Sequence, residues 1–457
     1  MKRHRFLNVT DFIVSHAHGG RQLPLKDGLM NAFLTALSLG GGASAGRERP
    51  AVHLGSTLAD AFVTRFSLPP RARRILRGCG VAAAVSASFN VPIAGILFAH
   101  EIILRHMAIR AFVPITISSF SATVVIHNQL ENDLAFTIPD YYILSYYEFP
   151  AFFLLGVLCA FIAIVFMKSC FAADSFAEKI SIRFTLPLWS RPALAGVMVG
   201  TMGIAFPQAL GVGYEATDAV LREGYPLMLL LILIVVNIIS TATTFAGRFG
   251  GGGIFSPSLY LGAMTGGAFG LGLAFFLPDT ISTHGLYAIV GMGAVVASVL
   301  GAPLSTSLII FEMMGDYQLT LALVFTVAIA TALTWIIMGK SYFHSMLERQ
   351  GIFLNDGPHQ RILHTVLVGD IMKVADERGN LTDWQQVPQI TGQILYANDS
   401  LNRALTLMER LQLDSYPVNE VETGDETSRR IIGIVAYHDA LKRFNDELVA
   451  TSLEEHR

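Results

Sequence analysis

The densest chemistry in this chain is three charges packed into a small-residue loop, "GGGASAGRERPAVHLG", residues 40–55. Glu48 stands between Arg47 and Arg49, and Pro50 follows. Proline is well tolerated in the first turn of a helix, where its missing N–H has no partner to lose, so the motif marks a helix N-terminus. The glycines ahead of it permit backbone conformations that turn N–H groups inward. Those donors and the positive end of the helix favour an anion. A second loop, "GRFGGGGIFSP" over residues 247–257, has the same grammar. It reads as an anion ligand built mainly from backbone, with the N–H groups of Ile254 and Phe255, just after Gly253, as donors. A carboxylate at such a helix end occupies the anion's own place, so Glu48 reads as a tethered competitor that protonation removes. Arg47 and Arg49 pair with it or raise the local anion concentration. The competing readings are a solvated surface loop for the first motif and a tight helix crossing that needs glycine for the second.

Loops of this kind must be held by helices, and inside a bilayer irregular backbone is tolerated only where protein buries it or where it lines a cavity. The composition places the chain there: 52% hydrophobic, 15% charged, mean hydropathy +0.51, too apolar for an ordinary soluble domain. Apolar stretches long enough to cross ~30 Å of hydrocarbon recur, the cleanest being 151–172, 227–246 and 319–338. The net charge of −3 and the lack of any basic tract interleaved with aromatics argue against nucleic-acid binding. Cys79, Cys159 and Cys170 lie in apolar surroundings and are odd in number, which favours buried thiols over a disulfide or metal site. "MKRHRFLNVTDF" has a basic start but no following apolar core, so it is not read as a signal peptide. No Ser-His-Asp, Cys-His or metal-ligand constellation appears. "GGAFGLG" (266–272) lacks the preceding strand that a dinucleotide fingerprint requires and reads as helix packing. Neither an enzyme nor a resident cofactor or metal is expected.

Two internal pairings suggest a repeat. "SFNVPIAGILFAHEI" (88–102) lies over "VLGAPLSTSLIIFEM" (299–313) at an offset of 211, matching Pro92 to Pro303 and Glu101 to Glu312; "GRERP" lies over "GIFSP" at an offset of 207. Membrane transporters often place a site at the interface of two such halves. From about residue 350 the texture becomes mixed and charged. There Leu401, Ala404, Leu405, Met408 and Leu411 recur at helical spacing behind Asp399 as the expected cap, and "RRIIGIVAYHD" reads as a short strand leading into a helix. The expected organisation is a membrane domain over 1–355 and a small α+β cytoplasmic module over 366–457.

The motifs resemble those of the CLC family of chloride channels and proton-coupled chloride transporters. "GRERP" is similar to the family's G-[KR]-E-G-P loop, "GIFSP" to its G-x-F-x-P loop, and "FNVPIAGILFAHE", "GAPLSTSLIIFEMMGDYQL" and "LGVGYE" (210–215) to further family segments. The tail, from "VGDIM" through "SYPVNE" to "IIGIVAYHDAL", is similar to a single cystathionine-β-synthase (CBS) motif. The resemblance implies an all-α polytopic membrane protein, a CLC-type inverted-repeat bundle with a small CBS-like domain. It implies a homodimer in the plasma membrane with a cytoplasmic C-terminus. The cargo it implies is chloride, with nitrate and fluoride as other possibilities. Glu48 becomes the gate, and Gly46, Arg47, Gly253, Ile254, Phe255 and Phe343 make up the anion-binding set. Glu101 and His100 are candidates for proton relay, although Glu101 and Glu312 fit better as backbone caps or ion-pair partners. The implied activity is passive or weakly proton-coupled anion transport. The alternative is a non-conducting regulatory subunit that senses adenine nucleotide through its tail.

Four departures from the family pattern stand out. Arg49 replaces a glycine, and a long cation beside the gate either slows it or draws anions in. The family's first anion loop falls on "RFLNVT", with the two helices before it missing. Phe343 sits where a tyrosine usually closes the inner end of the pathway, with Tyr342 one residue early. Ile102 replaces the second member of the internal glutamate pair, and an isoleucine carries no proton.

Overall fold

The computed structural model describes residues 23–104, 109–129, 148–187, 189–248, 252–277, 282–349, 362–363, 366–374, 394–419 and 431–456. They divide into two compact units, 1–346 and 347–457. The expected boundary between 355 and 366 falls largely on residues outside those described, as does the "RFLNVT" segment.

The first unit is helical. Its described helices are α1 (Leu25–Gly40), α2 (Glu48–Arg65), α3 (Pro70–Phe89), α4 (Pro92–Phe98, continued by a π-helical turn Ala99–Leu104), α5 (Ile109–Gln129), α6 (Phe149–Arg183), α7 (Ser190–Ala205), α8 (Tyr214–Leu221), α9 (Leu227–Gly247), α10 (Phe255–Phe276), α11 (His284–Leu300), α12 (Pro303–Met314), α13 (Tyr317–Met338) and α14 (Tyr342–Arg349). Among the described residues, five stretches (Arg110–Gln129, Phe149–Arg183, Leu227–Gly247, Phe255–Phe276 and Tyr317–Arg349) are long and apolar enough to cross a membrane. They include all three spans read from hydropathy. Leucines, valines and phenylalanines remain exposed along α5, α6, α7 and α13, as expected of faces that meet lipid or another subunit rather than water. The three cysteines are free and buried, as anticipated.

The repeat is physical. A side chain on Gly55 would meet the carbonyl of Gly80 at 2.3 Å, and one on Gly262 would meet that of Gly291 at 2.4 Å. These are the same two contacts displaced by 207 and 211 residues, so α2 crosses α3 as α10 crosses α11, backbone against backbone. Gly266 and Gly270 extend the second crossing, against Tyr287 and His284, which accounts for most of the "GGAFGLG" run; Gly272 faces open space. Helices α1–α5 therefore correspond to α9–α13, with α6–α8 between.

Carboxylates tie the halves together. Glu101 accepts the N–H groups of Leu304 (3.1 Å) and Ser305 (2.7 Å) at the start of α12. Glu312 accepts those of Ile93 (2.9 Å) and Ala94 (2.6 Å) at the start of α4. Both helices open on proline and leave N–H groups that need an acceptor. Each half supplies the other's cap, so the two helices are related by a local two-fold. Glu101 is a cap in this fold, the role its repeat partner suggested.

The second unit contains a four-stranded sheet, ordered β1-β4-β3-β2, from β1 (Lys373–Val374), β2 (Leu395–Tyr396), β3 (Ser415–Asn419) and β4 (Ile431–Ala436). Only the β2–β3 pair is parallel. Helix α15 (Leu401–Leu411) buries Leu401, Ala404, Leu407 and Met408, and α16 (Tyr437–His456) follows β4 directly. Two expectations are corrected. Ser400 caps α15, its hydroxyl accepting from the Arg403 N–H at 3.4 Å, while Asp399 accepts the Tyr396 N–H at 2.8 Å in the turn before it. Leu411 is exposed and Leu407 takes its place in the core, because the left-handed residue Gln412 ends the helix there.

Candidate functional site

The two glycine loops meet. Gly46 and Gly253 form an isolated antiparallel pair, with N–H···O distances of 2.7 and 2.8 Å in the two directions. This stitch brings together the N-termini of α2 and α10, which begin at Glu48 and Phe255. Glycine is required at both ends of it. A side chain on Gly46 would stand 2.1 Å from Glu48 Oε2 and 3.2 Å from the Ser256 backbone nitrogen, and one on Gly253 would press on Arg49 Cβ at 3.0 Å. These distances put the Glu48 carboxylate at the N-terminus of α10, where orphan N–H groups and the helix dipole stabilise negative charge.

Glu48 is buried, 5% exposed. Its Oε1 accepts a hydrogen bond from the Tyr214 hydroxyl at 2.9 Å and another from Ser256 Oγ. Its Oε2 is buried without a hydrogen-bond partner. The solvated-loop reading fails for this residue, since burying a carboxylate is costly unless charge or donors compensate. Arg47 is exposed and Arg49 half-buried, and each is tied to a neighbouring group. Arg47 lays its guanidinium over the Tyr214 ring, 4.9 Å from the centroid, and reaches the Ser88 carbonyl at 3.5 Å. Arg49 donates to the carbonyl of Gly252 at 3.0 Å, so the residue that replaces glycine ties the first loop to the second.

Beyond Glu48 lies a cavity. Gly253, Ile254 and Phe255 line it at the loop end, Phe343 and Tyr342 elsewhere, and between them the wall is aliphatic and aromatic, including Ile102 and Ile103 of the π-helical turn. Of the expected anion-binding residues, Gly253, Ile254, Phe255 and Phe343 line this space. Gly46 stands behind the carboxylate, and Arg47 acts on Tyr214 from outside. Tyr342 is the more buried of the aromatic pair, stacked on Phe171 at 4.9 Å between centroids, and both residues reach the cavity. Neither relay candidate lines it. Glu101 faces α12, and His100 is buried with its ring 6.3 Å from that of Phe112.

Tyr214 and Ser256 were not singled out from sequence. The signals were present: Tyr214 is the aromatic of "LGVGYE", and Ser256 is the second variable position of "GIFSP". Nothing local links either one to Glu48.

Residues 8–334 match the family model described as voltage gated chloride channel. The chain belongs to the CLC family. It is 30% identical to the H(+)/Cl(−) exchange transporter ClcA of Yersinia pestis over 337 residues, covering 72% of this chain and 68% of that protein. It is also 30% identical to the chloride channel protein CLC-f of Arabidopsis thaliana over 347 residues, but it spans only 44% of that longer relative. In three dimensions it is similar to a slow cyanobacterial Cl−/H+ antiporter, with a TM-score of 0.67, 23% identity, and coverage of 75% of this chain and 80% of the other. The CLC fold therefore extends over the helical unit, which spans the membrane.

Proposed function

We propose that the helical unit is a pathway for chloride or a related anion, with Glu48 as its gate. The observation that carries this reading is the buried Glu48 carboxylate at the N-terminus of α10, at the end of a cavity lined by Gly253, Ile254 and Phe255. A negative group there holds the place of an anion, and protonation weakens its hold on the two hydroxyl donors. The relatives named above transport chloride according to their names, two of them in exchange for protons. The cavity wall presents Ile102, which carries no proton, and Glu101 caps α12. The activity supported best is thus channel-like or weakly proton-coupled transport, with no covalent chemistry. A homodimer in the plasma membrane agrees with the exposed apolar faces of α5 and α13. The second unit, a sheet with two helices, is read as a cytoplasmic CBS-type regulatory module, a reading tested by adding adenine nucleotide to the full-length protein during a flux measurement.

The test is chloride efflux from liposomes across a range of pH, with external pH recorded and the membrane potential shunted. Glu48→Gln, which mimics the protonated gate, is expected to carry chloride with no pH dependence. A pH profile identical to that of the parent protein would refute the assignment.

A further inference from the structure

We propose that the hydroxyls of Tyr214 and Ser256 are side-chain ligands for the transported anion, binding it at the point that Glu48 Oε1 occupies in this structure. The inference rests on Glu48 being the gate, and extends it from the competitor to what the competitor displaces.

Both hydroxyls donate to one oxygen, Glu48 Oε1, and the two hydroxyl oxygens lie 3.4 Å apart. They form a pincer closing on a single negatively charged atom. The carboxylate's other oxygen, Oε2, is buried and accepts nothing, so the side chain is held through the oxygen that the pincer grips. When Glu48 withdraws, two donors are left facing a shared point beside the α10 N-terminus. Ser256 Oγ also donates to the Tyr214 hydroxyl, but a hydrogen bond to a charged acceptor is the stronger one, so a negatively charged atom is favoured at the vacated position, and chloride meets that preference.

The placement is built in by neighbouring residues. Tyr214 opens α8, and the residue before it, Gly213, has φ of 80°, a conformation that favours glycine. A side chain at Gly213 would also strike the Tyr260 ring at 2.5 Å. Arg47 over the Tyr214 ring fixes the phenol from its other side. Ser256 is the second residue of α10 and is 1% exposed. Two hydroxyl donors favour good acceptors, so this site is expected to prefer chloride over a weak acceptor such as thiocyanate by more than backbone N–H groups alone would.

The experiment measures chloride binding to the full-length protein by titration calorimetry in a Glu48→Ala background, where the competing carboxylate is gone. Adding Tyr214→Phe or Ser256→Ala is expected to weaken chloride binding by about tenfold each, the usual consequence of removing one hydrogen bond to a charged group, and to reduce the preference for chloride over thiocyanate. With Glu48 intact, Tyr214→Phe alone is expected to raise chloride efflux from liposomes at neutral pH, because the same bond holds the gate in place. Tyr214→Phe preserves the ring and its packing, so it carries the test even if Ser256→Ala does not fold. Unchanged chloride affinity in the Glu48→Ala/Tyr214→Phe protein would overturn the proposal. Failure of the gate itself looks different: Glu48→Gln would then retain the parental pH profile whatever residue 214 is.

Discussion

If Glu101 is a helix cap rather than a proton carrier, replacing it should cost stability and leave proton movement alone. Its carboxylate accepts two backbone N–H groups, at 3.1 and 2.7 Å, from the first turn of α12. Glutamine keeps one acceptor oxygen but turns an amide NH2 toward the second N–H, and it removes a negative charge from the positive helix end. A hydrogen bond to a charged group is worth about 1.5–3 kcal/mol and the dipole term about 0.3–1 kcal/mol. Both capping glutamates are only part-buried, which favours the low end, so Glu101→Gln should lose about 2 kcal/mol. Glu312→Gln removes the matching pair of bonds, 2.9 and 2.6 Å, from α4, and the reciprocal geometry predicts a loss of similar size. The assay is thermal unfolding of the purified protein, followed by intrinsic fluorescence, alongside liposome measurements of chloride and proton flux. The expected result is a matched drop in thermal stability for the two variants and a proton-to-chloride ratio unchanged from the parent. Loss of proton movement in Glu101→Gln at parental thermal stability, with Glu312→Gln unaffected, would refute the capping argument and return Glu101 to a relay.

Arg49→Gly, which restores the residue usual in the family, removes the bond to the Gly252 carbonyl and a cation from the cavity wall. Apparent chloride affinity in the flux assay should fall several-fold, whereas an unchanged affinity would reduce Arg49 to a tie between loops. Asp60 is buried with Arg77, which donates to it from Nε at 2.7 Å and Nη2 at 2.5 Å, and it also accepts the Leu23 N–H; Asp60→Asn leaves the guanidinium buried and under-compensated and should cost about 3–5 kcal/mol, read as loss of folded protein on gel filtration. Along α10, Gly262→Val drives a side chain into the Gly291 carbonyl and should abolish folding, while Gly272→Ala, which meets nothing within 4 Å, should be neutral or stabilising by up to about 1 kcal/mol.

The sequence carried the parts of the fold that have periodicity or punctuation. Hydropathy located the long helices, Pro50 and Pro257 marked helix starts that the structure contains, and the two repeat offsets reappear as the Gly55–Gly80 and Gly262–Gly291 crossings. What was illegible was convergence between distant elements. Ser256 lies 208 residues from Glu48 and Tyr214 lies 166 away, and neither hydroxyl differs in sequence context from one facing lipid. The Asp60–Arg77 pair was equally silent, because an aspartate in a helix of mixed polar and apolar residues reads as a solvated position until burial is known. The aromatic pair at 342–343 shows a finer limit: register alone assigns one residue to the pathway, while the start of α14 brings both to the cavity.

The repeat also separates scaffold from function. Where the halves match chemically, the role is structural: Pro92 and Pro303 start helices, Glu101 and Glu312 cap them, and Gly55 and Gly262 let helices touch. Where the halves differ, the residues gather at the loops. At the 207-residue offset Glu48 falls on Phe255 and Arg49 on Ser256. A strictly symmetric pair of loops would present two carboxylates, which repel each other and leave no place for an anion, or two sets of donors with nothing to close them. One loop instead supplies the charge and the other the helix end and hydroxyl that receive it, and the Gly46–Gly253 stitch holds both at the distance where one competes for the other. Asymmetry confined to the three central positions of a motif whose glycine and proline match is what a tethered competitor requires. It follows that exchanging the pair, Glu48→Phe with Phe255→Glu, should keep the fold, since both sites are helix N-termini, but should lose chloride flux that responds to pH, because the transplanted carboxylate no longer faces Tyr214 and Ser256. Flux with the parental pH profile in that double variant would show that either loop can carry the gate and that the asymmetry is incidental.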